Sequence, residues 1–354
     1  MSVSVTKSGF NVREKLKQLQ KPIGLKGSEL MRAETAQEAR ELVSAGRKNL
    51  IINGGFDVWQ RGTTGSVVGG PAYASADRWR MYVNTSTTMT LSRQTFTAGQ
   101  TEVPGNPSYY ARFDWLGTGA SQFFGLEQFI EGCHHGSGDY LTVSFYARSQ
   151  LGDDMYLGVN QNFGTGGSAQ QNITNSLIEL ETYWKKFVYV LSVPSISGKT
   201  INKSDDNLSI TFYRNGTQNS YLELSNVQVE VGKNATEFEH RSYGEELALC
   251  ERYYQKHTTS SDYRVAAIRS NNGSTQGTIQ YLYRTMRIQP NTSVITQPCI
   301  KIVRQLDDVT GAAYATLSVS AKNQNEYHMT ASIAQSGASQ ILAFSAVYDF
   351  DAEL

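Results

Sequence analysis

From residue 50 to about 240 the apolar positions of this chain recur at every second residue. Leu141, Val143, Phe145 and Ala147 alternate with Tyr140, Thr142, Ser144 and Tyr146, and Phe187, Tyr189, Leu191 and Val193 repeat the pattern, as do Leu208, Ile210 and Phe212. Successive side chains of a strand point to opposite faces, so each run predicts a strand with one buried face. Between 221 and 231 the parity changes: Leu222 and Leu224 are even, Val227, Val229 and Val231 odd. One extra residue within a strand does this, which predicts a β-bulge at Ser225-Asn226. Leu50-Ile51-Ile52 predicts a first strand buried on both faces. Asn53-Gly54-Gly55 predicts a sharp corner made possible by glycine's backbone freedom, and Trp59 a core anchor. Glycine-rich connections at 117–119 and 164–167 separate the runs. About eight strands on this spacing predict a two-sheet sandwich, of jelly-roll type.

On either side the period changes. Asn11 and Glu14 fit a capping box, after which Val12, Leu16 and Leu19 share one helical face up to Pro22. A glycine-punctuated linker follows, then a second box at Thr35–Glu38, with Ala36, Ala39 and Leu42 on one face and Gly46 as the stop. Each apolar stripe is narrow and each helix too short to persist alone, so both are expected to pack on a symmetry mate or a foreign partner. Ser242-Tyr243-Gly244-Glu245 opens a third helix, with Leu247, Cys250, Tyr253 and Tyr254 as its packing residues. Thr278–Ile288, Ala313–Val319, Tyr327–Ile333 and Ile341–Tyr348 then read as strands of a smaller β domain. The expected organisation is mainly β: a helical arm over 1–48, a β-sandwich over 49–241, a connecting helix over 242–257 and a C-terminal β domain over 258–354.

Charge sharpens this division. The chain is neutral overall, yet residues 1–48 hold ten Lys or Arg against five Glu, a surplus of five that the remainder balances. A basic arm on an acidic body predicts docking to an acidic partner surface; a solvated helix pair with surplus lysine is the plainer reading. Cys133, Cys250 and Cys299 are odd in number and far apart, which is no disulfide framework and suits a reducing cytosol. No run approaches the roughly 18 apolar residues of a membrane span, and the first 30 residues hold no continuous apolar run of a secretory signal. Twenty tyrosines with modest charge fit a β-rich surface protein that touches sugars or proteins through flat, half-polar faces.

Catalytic patterns are missing. No nucleophile elbow, paired-histidine zinc helix, EF-hand loop or Cys-x-x-Cys occurs. Ser197-Gly198-Lys199-Thr200 ends like a phosphate loop, but Val193 stands where its first glycine belongs, and no helix follows. Gly164-Thr165-Gly166-Gly167 reads as a flexible loop. Cys133-His134-His135 groups soft ligands, of which at most Cys133 and His135 share a face, so no metal site is expected. Asp153-Asp154 and Asp205-Asp206 sit in polar turns. Tyr82, Tyr109, Tyr110, Trp115, Tyr156 and Trp184 are the candidates for a sugar-binding platform, against the alternative that each is core.

Three stretches carry a resemblance. Asn53-Gly-Gly-Phe-Asp-Val-Trp-Gln-Arg-Gly62, followed by Ala76-Asp77-Arg78-Trp79, resembles the opening of the carbohydrate-binding-module-like jelly roll, family 4/9 type, of tailed-phage structural proteins. Asn226–Gly232 with Ala235–Tyr243 resembles that module's last strand and exit, and Glu245–Tyr254 the helix that follows in fibre and adhesin-like proteins. Within these motifs Asp77 is expected to pair with Arg78, Trp79 to point inward, and Glu230 and Glu239 to answer Arg61 or Arg241. The resemblance also brings a calcium ion near these strands, for which no acidic cluster stands out.

The resemblance implies a virion protein made in the host cytoplasm: a non-enzymatic tail fibre. Its arm would dock on other virion proteins (tail adaptor, nozzle or capsid), a homotrimer burying Val12, Leu16, Leu19, Ala36, Ala39 and Leu42, while the β domains reach a host surface glycan. No cofactor, nucleic acid or membrane insertion is expected. A purely structural connector or head decoration, and a polysaccharide depolymerase with two facing carboxyls, are the alternatives.

Overall fold

The computed structural model describes residues 48–117, 123–215 and 220–258, the backbone of strands between 264 and 351, and residues 286–287 and 352–353. The chain divides into two compact units, Met1–Lys48 and Asn49–Leu354. The two arm helices, with Val12, Leu16, Leu19, Ala36, Ala39 and Leu42, lie outside the described residues.

Ten antiparallel strands form the body: β1 (Thr64–Ala72), β2 (Arg80–Thr95), β3 (Tyr109–Gly117), β4 (Phe123–Glu131), β5 (Tyr140–Ser149), β6 (Asp154–Asn162), β7 (Gln171–Glu179), β8 (Lys185–Ser192), β9 (Asn207–Asn215) and β10 (Ser220–Val231). The long β2 belongs to both halves. Its start, Arg80–Val83, pairs with β4, and its later part, Thr87–Thr95, pairs with β3. One leaf therefore runs β7-β6-β9-β4-β2 and the other β2-β3-β10-β5-β8, with β1 along the opposite edge of β2. The far edges also approach each other, where Tyr189 Oη donates to Leu177 O at 3.4 Å. This is the jelly-roll-type β-sandwich that the alternation predicts. Met81, Leu91, Phe113, Phe124, Leu126, Phe145, Leu157, Ile210, Phe212 and Val229 fill the space between the leaves, each without exposed surface. Phe145 and Phe212 meet across it edge to face at 4.8 Å.

The bulge lies where parity places it. The pairing of β10 with β5 slips between Ser225 and Gln228, and Asn226 takes φ +49°. Beyond the bulge β3 no longer pairs with β10, and residues 49–54 take over that edge.

Those residues are not the strand expected at Leu50–Ile52. Leu50 N donates to Val229 O at 2.9 Å, but side chains close the remaining backbone groups: Ile51 N and Val229 N both donate to Asn49 Oδ1, and Ile52 N to Gln128 Oε1. Amide side chains here replace a ladder. The corner also differs from expectation. Gly54 is required by close approach, since a Cβ would lie 2.1 Å from Val227 O. The positive φ values fall on Asn53 and Phe56, both +58°. Asn53 closes the corner by bonding Val58 N, Val58 O and Asp77 O, while Trp79 Nε1 donates to its carbonyl.

Ser242 caps helix α1 (Tyr243–Cys250) with the full reciprocal box to Glu245. The helix stops at Cys250, short of Tyr253 and Tyr254. These two rings instead lie under the guanidinium groups of Arg78 and Arg61, at 3.4 and 3.6 Å from their centroids. Arg78 pairs with Glu353, which Arg61 also reaches at 3.4 Å, rather than with its neighbour Asp77. Asp77 accepts from Gln60 N at 3.0 Å and lies 3.9 Å from Arg61. Arg78 itself takes φ +71°. The motif Gln60-Arg61…Asp77-Arg78 thus receives Asp351 and Glu353. Glu239 meets Arg241 at 3.4 Å as expected, whereas Glu230 accepts from Gln228 and Thr236 instead of an arginine. Asp77 and Glu230 are thus bonded to protein donors, and among the described residues no cluster of three acidic, His or Cys side chains stands near them.

The C-terminal portion comprises β11 (Tyr254–Thr258), β12 (Arg264–Ile268), β13 (Thr275–Leu282), β14 (Asn291–Val294), β15 (Cys299–Arg304), β16 (Thr316–Asn323), β17 (Glu326–Ile333), β18 (Gln340–Ser345) and β19 (Val347–Asp351). They form three antiparallel sheets ordered β11-β19-β14, β12-β18-β15 and β13-β17-β16. The single run expected over Ile341–Tyr348 is two strands in different sheets, and β11, β12, β14 and β15 escaped the periodicity.

Candidate functional site: the outer face of one leaf

Strand alternation decides which aromatics reach solvent. On β2, β4, β9 and β6 the core takes Met81 and Val83, Phe124 and Leu126, Ile210 and Phe212, Met155 and Leu157. Their neighbours Tyr82, Phe123, Gly125, Tyr213 and Tyr156 therefore point outward. The register then lines them up. Tyr82 faces Gly125, Gly125 faces Tyr213, Tyr213 faces Tyr156 and Tyr156 faces Leu177, a single row across five strands. At the usual strand spacing that row is about 19 Å long.

The rings touch along it. Tyr82 meets Phe123 edge-on at 5.1 Å, Phe123 lies 4.9 Å from Tyr213, and Tyr213 stacks on Tyr156 at 5.2 Å. Tyr82 is 38 % exposed and Leu177 46 %. A Cβ at Gly125 would lie 2.6 Å from Phe212 O, so only glycine fits between Tyr82 and Tyr213. Polar rows lie beside the aromatic one. Arg80 Nε donates to Glu127 Oε1 at 2.7 Å, Tyr213 Oη bonds Asn175 Oδ1 at 2.5 Å, and Asn172 donates to Asn160 Oδ1 at 3.0 Å. Asn162 Nδ2 donates to Asn207 Oδ1 at 2.7 Å in the outermost row. Burial pushes the Glu127 carboxyl above its ordinary range against the pull of Arg80. Such a face offers ring faces for C–H surfaces and amides for hydroxyls.

The six expected aromatics are dispersed rather than gathered. Tyr82 and Tyr156 belong to this row. Trp115 faces inward from β3, 3 % exposed and stacked on Phe124 at 4.0 Å, so it is core. Tyr110 and Trp184 point outward from the other leaf but are buried in a satellite cluster with Phe96 and Val103. Tyr109 is half-buried under the Arg93 guanidinium at 4.3 Å, on a cleft of about 530 Å³ at the sandwich's end. Phe123, Tyr213, Asn175 and Leu177 were missed. For Tyr213 the signal was present: it is out of phase with Leu208, Ile210 and Phe212.

The remaining candidates are tied into the framework. Cys133 is buried, with its thiol pushed up to about 11 by burial and by Asp206. His135 Nε2 lies 2.9 Å from Glu131 O, and burial lowers its pKa. Among the described residues no three His, Cys, Asp or Glu are placed to hold a metal. Asp153 pairs with Arg214 at 2.8 Å, Asp206 accepts from Cys133 N, and Asp205 accepts from Thr165, whose bonds hold that carboxyl below its usual range.

No family model and no curated protein matches this sequence. Solved structures do. A structure described as CBM4 is 16% identical, covering 51% of this chain and 98% of its own, with a TM-score of 0.30. TmCBM61 in complex with β-1,4-galactotriose is 15% identical over 52% of this chain and 98% of its own, TM-score 0.30. The enzymatically active domain of tailspike protein 4 of bacteriophage CBA120 is 12% identical over 52% of this chain and 21% of its own, TM-score 0.32.

Proposed function

We propose that this chain is a non-enzymatic component of a tailed-phage particle, a tail fibre, whose sandwich presents the outer face of the β7-β6-β9-β4-β2 leaf to a host surface glycan. The observation that carries the glycan reading is the in-register row Tyr82–Tyr213–Tyr156, open to solvent and bordered by Asn160, Asn172 and Asn175. Pyranose rings stack their apolar faces on such rings, while amides take the hydroxyls. The virion reading is supported by the resemblance at 53–62, 76–79 and 226–254. In it the basic arm docks on other virion proteins, the particle carries the chain, and a trimer multiplies weak single-site binding. Burial of Tyr110, Trp115 and Trp184 favours a purely structural connector as the second reading.

A glycan array probed with the intact chain and with Tyr213→Ala separates the two. The expected result is binding to at least one glycan class, weakened about tenfold or more by the substitution, as for a central aromatic contact. Absence of glycan binding leaves the connector; binding indifferent to Tyr213 overturns the outer-face site. For the virion reading, particles assembled with a chain lacking residues 1–48 should lack this protein; normal incorporation would overturn docking through the arm.

A further inference from the structure

On β2 and β3 the inward parity runs past the core. After Met89 and Leu91 the next inward position of β2 is Arg93, and before Phe113 and Ala111 that of β3 is Tyr109. A guanidinium and a phenol thus stand where the sandwich opens at its end, and there a cleft of about 530 Å³ lies between them, Asp57, Trp59, Arg241 and Tyr243. That volume is within the range of small-molecule sites.

Most of its wall is fixed. Trp59 Nε1 donates to Phe56 O at 2.6 Å, and Arg241 is held by Ile51 O, Asn49 O, Glu239 and Glu246. Two charged groups are uncommitted. Among the described residues Asp57 makes no hydrogen bond or ion pair, and the Arg93 guanidinium has only the ring of Tyr109. A carboxylate is not left half-buried without a donor at no cost. Gly55 leaves room for it, since a Cβ at that position would lie 2.9 Å from Asp57 Oδ2. Tyr243, 60 % exposed, stands at the mouth.

We propose that this cleft is a second ligand site, independent of the outer-face site, and that it takes a zwitterionic sugar, an amino sugar carrying a carboxylate. The ammonium pairs with Asp57, the carboxylate with Arg93, and the ring lies against Tyr109 and Trp59.

Burial and then Glu246 of α1 raise the Asp57 carboxyl to about 6. Asp57 and Arg93 both line the cleft, and no ion pair joins them. The other charged groups nearby, Arg241 and Glu239, are paired with each other at 3.4 Å, and the phenols of Tyr109 and Tyr243 complete the titratable set. Asp57 is ionised at neutral pH and loses its charge below about 6, so affinity for an ammonium falls as pH falls through that value.

The test is calorimetric titration of the full chain with muramic acid, against glucosamine, glucuronic acid and glucose as cation-only, anion-only and neutral hexoses. Muramic acid is expected to bind most tightly, with affinity reduced about tenfold by either Asp57→Asn or Arg93→Gln, the loss of one charge-assisted bond. Affinity should also drop between about pH 7 and pH 5. Tyr213→Ala should leave it unchanged, so failure here is distinct from failure of the outer-face site. No binding of muramic acid at millimolar concentration, equal binding of glucose, or indifference to both substitutions would overturn the proposal.

Discussion

The two outer faces of this sandwich are made of the same kinds of residue, yet one is open and the other covered. On the β2-β3-β10-β5-β8 leaf, Tyr110, Trp184, Arg112, Arg148 and Glu223 all point outward by parity. Residues 96–108 fold over them, contributing Phe96 and Val103 to a closed cluster in which Phe96 lies 4.6 Å from Tyr110 and 5.3 Å from Trp184. The charges are equally closed. Glu223 is 1 % exposed and accepts from Arg112 Nε at 2.7 Å and from Arg148, while those guanidiniums lie over Tyr221 and Trp184. On the other leaf nothing in the described residues covers the row from Tyr82 to Leu177. An outward aromatic is therefore left open to solvent or closed into a cluster according to the connection that follows its strand, and parity alone does not say which.

The comparison breaks most visibly at Glu223. Removing it in Glu223→Ala leaves two arginines facing a buried gap, and unfolding free energy by urea titration should fall by about 3–5 kcal/mol. Glycan binding by the opposite leaf should survive in whatever fraction stays folded. Trp184→Ala should cost about 3 kcal/mol in the same titration, as a large ring removed from a packed cluster. A loss under about 1 kcal/mol would mean the cluster is loose and Trp184 available to a ligand. Tyr213→Ala should do the reverse: a loss of stability of about 1 kcal/mol or less, the usual effect at a half-exposed position, together with the affinity loss described above. Equal destabilisation by Trp184→Ala and Tyr213→Ala would erase the distinction between the faces.

Strands β5, β8, β9 and β10, the sandwich, the bulge at Ser225-Asn226 and the cap at Ser242 were legible because each depends on local periodicity or on a few adjacent residues. What escaped depends on distant partners. Leu50–Ile52 has the composition of a strand, yet Asn49 and Gln128 take the hydrogen bonds a neighbouring strand would have supplied. Arg61 and Arg78 wait for Glu353, some 275 residues after Arg78, and no spacing rule reaches that far. The outer-face row was half legible: Tyr82 and Tyr156 were among the candidates, but weighting tryptophan drew in Trp115 and Trp184, which are buried. Register across β2, β4, β9 and β6 is what joins Tyr82 to Tyr213, and register is set by long-range pairing.

The smallest effect concerns Asp57, where stability and binding should move in opposite directions. Its carboxyl lies at about 6 in the folded chain against 3.8 for an ordinary aspartate, chiefly because burial disfavours the charge. A group held above its unfolded value makes the native state bind more protons, so stability from it is present below about 3.8 and is lost as pH rises through about 6. Asp57→Asn removes that penalty. Its melting temperature should exceed that of the parent chain by about a degree or two at neutral pH, with the gain vanishing below about pH 4, where both states are protonated. The same substitution should weaken muramic acid binding. A residue that costs stability and contributes affinity is the mark of a site held for function; a substitution that lowers the melting temperature at neutral pH would instead make Asp57 part of the corner's framework, alongside Asn53 and Asp77.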